Sequence, residues 1–284
     1  MLKSKYPIIC APMNEVYSYN LIAGCAEAGI TPGTLYSQIP TSDLERYVSD
    51  YQDVGIVISL SAGELMEDTV VKACSQTSVV GVEILDLVNP AVNSDENFIR
   101  RYKDLRASNK FNFIFKQFKG NDSLVSDYIC LMGAGKAGRT PRNYAGIKEQ
   151  YLEWSKNNPN SKFIVSGGIH KPEQVKYFID SGVSAIVIGT LFAASEESPI
   201  SYHAKLRMVE ATAANIHMFA DTKQHALVFS DQAETEPYHG NHTDSLVEGI
   251  ATGTSGHLFA GIGLDSIHSI RPIKEIVADL VKFI

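Results

Sequence analysis

Two short glycine-bearing segments, Ser166-Gly167-Gly168-Ile169 and Ile188-Gly189-Thr190, each follow directly on an apolar run. Glycines at the end of a strand let backbone N–H groups approach phosphate oxygens with no Cβ in the way, and the Thr190 hydroxyl adds a donor. A third stretch, MGAGKAGRTPR over 132–142, supplies Gly133 and the cations Lys136, Arg139 and Arg142, which could meet an anion. It is not the phosphate loop of a nucleotide triphosphatase, which needs Ser or Thr after the lysine where this chain has Ala137. Lys116 alternates with apolar residues in FNFIFKQF, and a lysine near a phosphate site could form a Schiff base with a phosphorylated metabolite. The eight histidines all lie from position 170 onward. His170 follows the first glycine pair, where it could sit at the site or serve as a cap. His239 and His242, with Asp244, could supply an acid, a base or metal ligands on a covering loop. No fourth ligand stands at a suitable spacing, so no metal is expected.

Eight apolar runs rich in β-branched residues must position these groups: YPIIC, AGITPGTLY, VGIVISLS, SVVGVEIL, FNFIFKQF, DYICLMG, KFIVSGGI and SAIVIGTLF. They are continuous rather than alternating, as in parallel strands covered on both faces. Helical periodicity separates most of them. Leu21, Ala23, Cys25 and Ala26 share a face after the first run, and Val175, Phe178 and Ile179 do so after the seventh, with Pro172 in the first turn. Eight such units predict a (β/α)8 barrel, with its functional site at the strand C-terminal ends. A doubly wound open sheet is the rival. KGNDSLVSD leaves little room for a helix between the fifth and sixth strands. The reading is of one domain, with a barrel core over 1–198 and an extension over 199–284. Within the extension, 199–220 reads as a helix capped by Ser198 and 230–261 as a structured excursion over the site. The segment beginning at Pro272 reads as a closing amphipathic helix.

The composition narrows the classes. A chain of 284 residues with 44% hydrophobic content supports a large core, and a formal charge of −7 argues against a nucleic-acid partner. Cys10, Cys25, Cys74 and Cys130 form no C-x-x-C pair and suit buried free thiols in a reducing compartment. No run approaches the ~20 apolar residues of a membrane span. The expectation is a cytoplasmic enzyme with a small-molecule substrate and no membrane partner; a homodimer is compatible with it.

YPIICAPM, SGGI, AIVIGTLFAASEES with Lys205 after it, and FAGIGLDSIHSIRPIKEIVADLV together resemble the nitronate monooxygenases, formerly 2-nitropropane dioxygenases, and the related flavin-dependent enoyl-ACP reductases. The resemblance covers both ends and the last two strands and is weak in the middle. It implies an FMN-dependent oxidoreductase on a (β/α)8 barrel. Ala11, Pro12 and Met13 would lie beside the flavin ring, and Ser166, Gly167, Gly168, Gly189 and Thr190, with Gly133 near them, would serve the phosphate end. Ser59 stands where the family usually has an Asn touching the flavin. Lys116 would point at the N1–C2 edge of the ring, or else be a surface lysine at a strand end. The family's histidine after the sixth strand has no counterpart, since Arg139 or Thr140 occupies its place; Arg139, His170 and His242 remain as candidates around the substrate. A flavin-binding protein without catalysis is the third reading.

Overall fold

The structure, a computed structural model, describes residues 2–76, 78–87, 89–108, 111–116, 124–139, 146–219, 224–229 and 242–284, without the side chains of Pro90 and Arg139. Its first six strands are β1 (Ile8–Cys10), β2 (Gly33–Leu35), β3 (Ile56–Leu60), β4 (Val79–Ile84), β5 (Phe113–Lys116) and β6 (Tyr128–Met132). After a two-residue strand β7 (Gly138–Arg139) that belongs to another sheet come β8 (Phe163–Ser166) and β9 (Ala185–Ile188). Eight of these pair in the order β1-β9-β8-β6-β5-β4-β3-β2. A parallel bridge from Ile9 to Thr31 joins the two ends of the sheet, so it closes into a barrel. Every apolar run singled out in the sequence contributes one barrel strand, and the open sheet is set aside. β5 and β6 are direct parallel neighbours, with Ile114 opposite Tyr128, despite the short segment between them.

The helices are α1 (Tyr19–Glu27), α2 (Thr41–Asp50), α3 (Ala62–Leu65), α4 (Asp68–Cys74), α5 (Pro90–Asn93), α6 (Glu96–Ala107), α7 (Ile147–Asn157), α8 (Pro172–Asp180) and α9 (Thr190–Ala193). Strands buried on both faces explain the continuous apolar runs: all five residues of β3 and all six of β4 are buried. One residue in two turns into the barrel, where Ile9, Val57, Ile114, Cys130, Ile164 and Ala185 pack together. Their strand neighbours face the helices. Ile8, Val165 and Ile186 pack under the later helices, and Ile58, Val82 and Phe113 under the earlier ones.

The extension differs from its expected form. The helix placed over 199–220 is only α10 (Tyr202–Glu210), and its cap is Ser201, whose hydroxyl accepts from Ala204 N. After a short 3-10 turn the chain becomes strand β10 (Ile216–Met218), followed by β11 (Gln224–Val228). Residues 230–241 lie outside the described residues. Then come α11 (His242–Thr252), β12 (His257–Phe259) and the closing helix α12 (Ile273–Leu280). β11 pairs antiparallel with β10 on one edge and with both β12 and β7 on the other. A loop of the barrel and the extension thus build one small sheet. Leu227, Leu246 and Leu258 of this region share a core with Val165 and Ile186 of the barrel.

Glu197 ties the first helix to the last. Its carboxylate accepts the Ile273 N–H at the start of α12, and its carbonyl accepts the Ser18 hydroxyl that caps α1. Lys205 reaches back to the carbonyls of Glu196 and Ser198 at 3.2 and 2.8 Å. The charged residues of the GTLFAASEES region are therefore a clasp between the first helix and the last ones. Among the described residues, no helix is long and apolar enough to cross a membrane.

Candidate active site

A cavity of about 230 Å³ opens at the C-terminal ends of the barrel strands. Its inner end is the apolar barrel interior, including Ile9, Val57, Ile114, Ile164 and Val187, and Leu246, Leu258 and Phe259 of the extension contribute to the lining. Ala11, Pro12 and Met13, directly after β1, form part of the wall.

One wall carries charge. Strand alternation buries Phe113 and Phe115 against the helices and turns Ile114 inward, so Lys116 also turns inward at the end of β5. The same alternation turns Glu83 inward between Val82 and Ile84, and Ser59 inward between Ile58 and Leu60. Ser59 and Glu83 are direct partners in the β3–β4 register. The Ser59 hydroxyl donates to Glu83 Oε2 at 2.5 Å, and Lys116 Nζ stands 3.0 Å from Glu83 Oε1. Glu83 is almost fully buried, whereas a third of the Lys116 side chain is open toward the cavity. Burial, the largest single influence, lowers the lysine pKa, but the Glu83 carboxylate, with Cys130, more than offsets it and the net shift is upward. Lys116 is therefore a fixed ammonium at neutral pH. Cys130, also in this wall, is pushed up to about 12 by burial and by Glu83, so its thiol is inert.

The opposite wall is built of backbone. Gly167 and Gly168 have φ of +94° and +79°. A Cβ on Gly167 would stand 2.8 Å from the Gly133 carbonyl oxygen and from Lys136 Cβ, so both conformation and space require glycine there. Among the described residues, the N–H groups of Gly167, Gly168, Gly189, Thr190 and Leu191 donate to no other backbone group. All five residues line the cavity. Thr190 Oγ1 accepts the Gly261 N–H at 3.1 Å, which leaves its own proton for a ligand. Ser166 and Lys136 complete this wall.

Several residues singled out in the sequence stand elsewhere. Ser59 does not line the cavity, because its hydroxyl is turned to Glu83. The Gly133 N–H is spent on the Ser166 carbonyl at 2.8 Å, making it a loop corner rather than a ligand donor. His170 lines a separate cavity, with Nδ1 2.6 Å from Ser266 Oγ. His242 packs its ring against Phe219 and near His257, away from the cavity lining. Arg139 pairs through its backbone with Gln224, and its side chain, like Thr140, Arg142 and His239, lies outside the described residues. No group of three or more His, Cys, Asp or Glu suited to a metal occurs among the described residues. Glu83 is the main residue that sequence reasoning passed over. Its partners lie on the neighbouring strands, and the available signal was a polar residue near the end of three consecutive apolar strands.

The cavity, the eight parallel strands and the extension over them define the chain as a (β/α)8 barrel with its candidate site at the usual end. No family model matches the chain, and no curated protein matches it in sequence. Solved structures do match it in shape. A mutant of FabK from Thermotoga maritima superposes with a TM-score of 0.75 at 21% identity, covering 99% of this chain and 92% of that one. The nitroalkane oxidase of Streptomyces ansochromogenes gives 0.72 at 16% identity, over 98% and 96% of the two chains. The enoyl reductase domain of MlnA from Bacillus amyloliquefaciens gives 0.67 at 10% identity, over 98% and 94%. At such identities the likeness establishes the fold.

Proposed function

We propose that the protein is an FMN-dependent oxidoreductase acting on a small organic substrate, in the manner of the nitronate monooxygenases and flavin-dependent enoyl reductases. The observation that carries this reading is the pairing, in one cavity, of a fixed ammonium on one wall with uncommitted backbone donors on the other. The residues fit the cofactor. Gly167, Gly168, Gly189, Thr190 and Leu191 offer N–H groups to its phosphate, with the Thr190 hydroxyl beside them. Ala11, Pro12 and Met13 offer an apolar surface to its ring. Lys116 would face the electron-rich edge of the ring, where a positive charge stabilises the reduced form. FMN supplies two-electron transfer through its N5 atom.

The chain's own part follows from what lines the cavity. Glu83 keeps Lys116 charged and directed, and Ser59 holds Glu83. No histidine lines the cavity among the described residues, so the wall offers no base near neutral pKa. That composition supports a substrate needing no proton abstraction, either an anion such as a nitronate or an alkene reduced by hydride transfer. Oxygen would be the acceptor in the first case. Lys136 would attract an anion, and Leu246, Leu258 and Phe259 would exclude water. A Schiff-base lyase is disfavoured, because that chemistry needs a neutral amine and Glu83 holds Lys116 protonated. Residence in the cytoplasm belongs to the same reading, supported by four buried free cysteines.

Purified protein is expected to be yellow, or to quench added FMN fluorescence on titration. Colourless protein with no FMN binding would refute the reading. Anaerobic bleaching by a nitronate selects the oxidase branch, and bleaching by a reduced nicotinamide selects the reductase branch. A borohydride-trapped aldehyde adduct on Lys116 would select the lyase.

A further inference from the structure

Across α9 from the first cavity lies a second one, entered between the start of α8, residues 266–271 and α12. Leu191 lines both. The second cavity concentrates positive charge on a chain whose net charge is −7: Lys171, Arg271 and Lys282 line it, against one acid, Asp279, which pairs with Arg271 at 2.7 Å. Leu191, Ile267, Ile276 and Leu280 give it an apolar floor.

His170 gives this cavity a built donor. The residue is only 8% exposed, and Ser266 Oγ at 2.6 Å from Nδ1 fixes the ring. In the tautomer in which the serine hydroxyl donates to Nδ1, the ring proton resides on Nε2, for which no protein partner occurs among the described residues. Burial, with Lys171 nearby, lowers the imidazole pKa, so the ring is neutral at pH 7 and in that tautomer donates from Nε2. Gln174 Oε1 takes the backbone N–H groups of His170 and Lys171 at 2.9 Å each, which holds the segment rigid at the entrance.

We propose that this cavity binds a small organic anion, a carboxylate or a phosphate monoester with an apolar group, which takes the His170 Nε2–H and the charges of Lys171 and Lys282 and rests its apolar part on the leucine and isoleucine floor. The site is independent of what fills the larger cavity. It assigns His170 a ligand-binding role in place of catalysis.

The test is 15N NMR of protein labelled at histidine, with the His170 signal identified by its loss in His170→Asn. Phenyl phosphate and phenylacetate are titrated separately, with phenol as the neutral control. The Nε2 signal is expected to move with one or both anions and not with phenol; the stronger binder tells phosphate monoester from carboxylate. The double variant Lys171→Ala/Lys282→Ala removes two exposed charges and is expected to weaken binding about tenfold while leaving thermal unfolding unchanged. No movement with either anion, equal movement with phenol, or an unchanged affinity in the double variant would overturn the proposal. Repeating the titration with saturating FMN is expected to give the same shift, and abolition of the shift by FMN would place the anion in the larger cavity instead.

Discussion

The two walls of the larger cavity solve the same problem, presenting positive potential to a ligand, by different means. The β3–β5 wall uses one formal charge, Lys116, and stabilises it with a buried carboxylate and a hydroxyl. The β8–β9 wall uses no charge on its strands and relies on backbone N–H groups held open by glycines at positive φ. A side-chain charge can be exchanged or lost to pH while the fold survives. A backbone donor cannot be removed without changing the path of the chain. The first wall is therefore tunable and the second is coupled to stability.

Gly167→Val tests the backbone wall most severely. The new side chain meets the Gly133 carbonyl and an unfavourable φ together, and a loss of about 3 kcal/mol is expected in urea unfolding, with FMN affinity falling in parallel. A variant of wild-type stability would show that this wall is not rigid. Lys116→Met should instead leave a folded, yellow protein with kcat reduced about a hundredfold and a more negative flavin reduction potential. If its potential is unchanged, the ammonium does not face the ring.

Glu83→Gln is the intermediate case. Removing one member of a largely buried pair destabilises by roughly 2 kcal/mol, less than for a fully enclosed pair because Lys116 is partly open to the cavity. It also reverses the lysine shift. With the carboxylate present the Lys116 pKa is raised, so the pair's stabilisation is complete at neutral pH and is lost only as alkaline pH rises through that pKa. Without it, burial dominates over the smaller influence of Cys130, and the alkaline limb of the pH–rate profile is expected to move to lower pH. Ser59→Ala should show the same movement in weaker form, with about 1 kcal/mol of stability lost. His170→Asn is expected to leave FMN affinity unchanged, because the ring belongs to the second cavity; a marked loss would show that the two cavities communicate.

The barrel was legible because each strand is buried on both faces and so reads as an uninterrupted apolar run. The glycine wall was legible for a related reason, since Gly167 and Gly189 stand at the ends of such runs. The small sheet was not. β7 is a glycine and an arginine, β10 has one partly buried apolar residue, and the pairing of β7 with β11 joins segments far apart in sequence. Pro199 suggested a helix start three residues early, while the cap hydrogen bond comes from Ser201. Glu83 was not legible as part of the site, because an acid within an apolar run shows no partner along its own strand. Its real partners, Ser59 and Lys116, share its face on the strands to either side, and only the register brings them together. The placement of His170 in a separate cavity was not legible, because standing two residues after Gly168 says nothing of the direction in which the ring points.

The clasp at Glu197 sets an order of events during synthesis. The first helix is capped by a serine whose hydroxyl is also bound to residue 197, and the side chain of Glu197 in turn holds the start of the last helix. On the ribosome, α1 emerges long before either partner exists, and the edge of β1 that pairs with β9 stays open until most of the protein has been made. A nascent barrel with an unpaired edge is a template for association with other chains. Deletion of residues 272–284 should therefore appear first as a poor yield of soluble protein, before any change in the chemistry of the site.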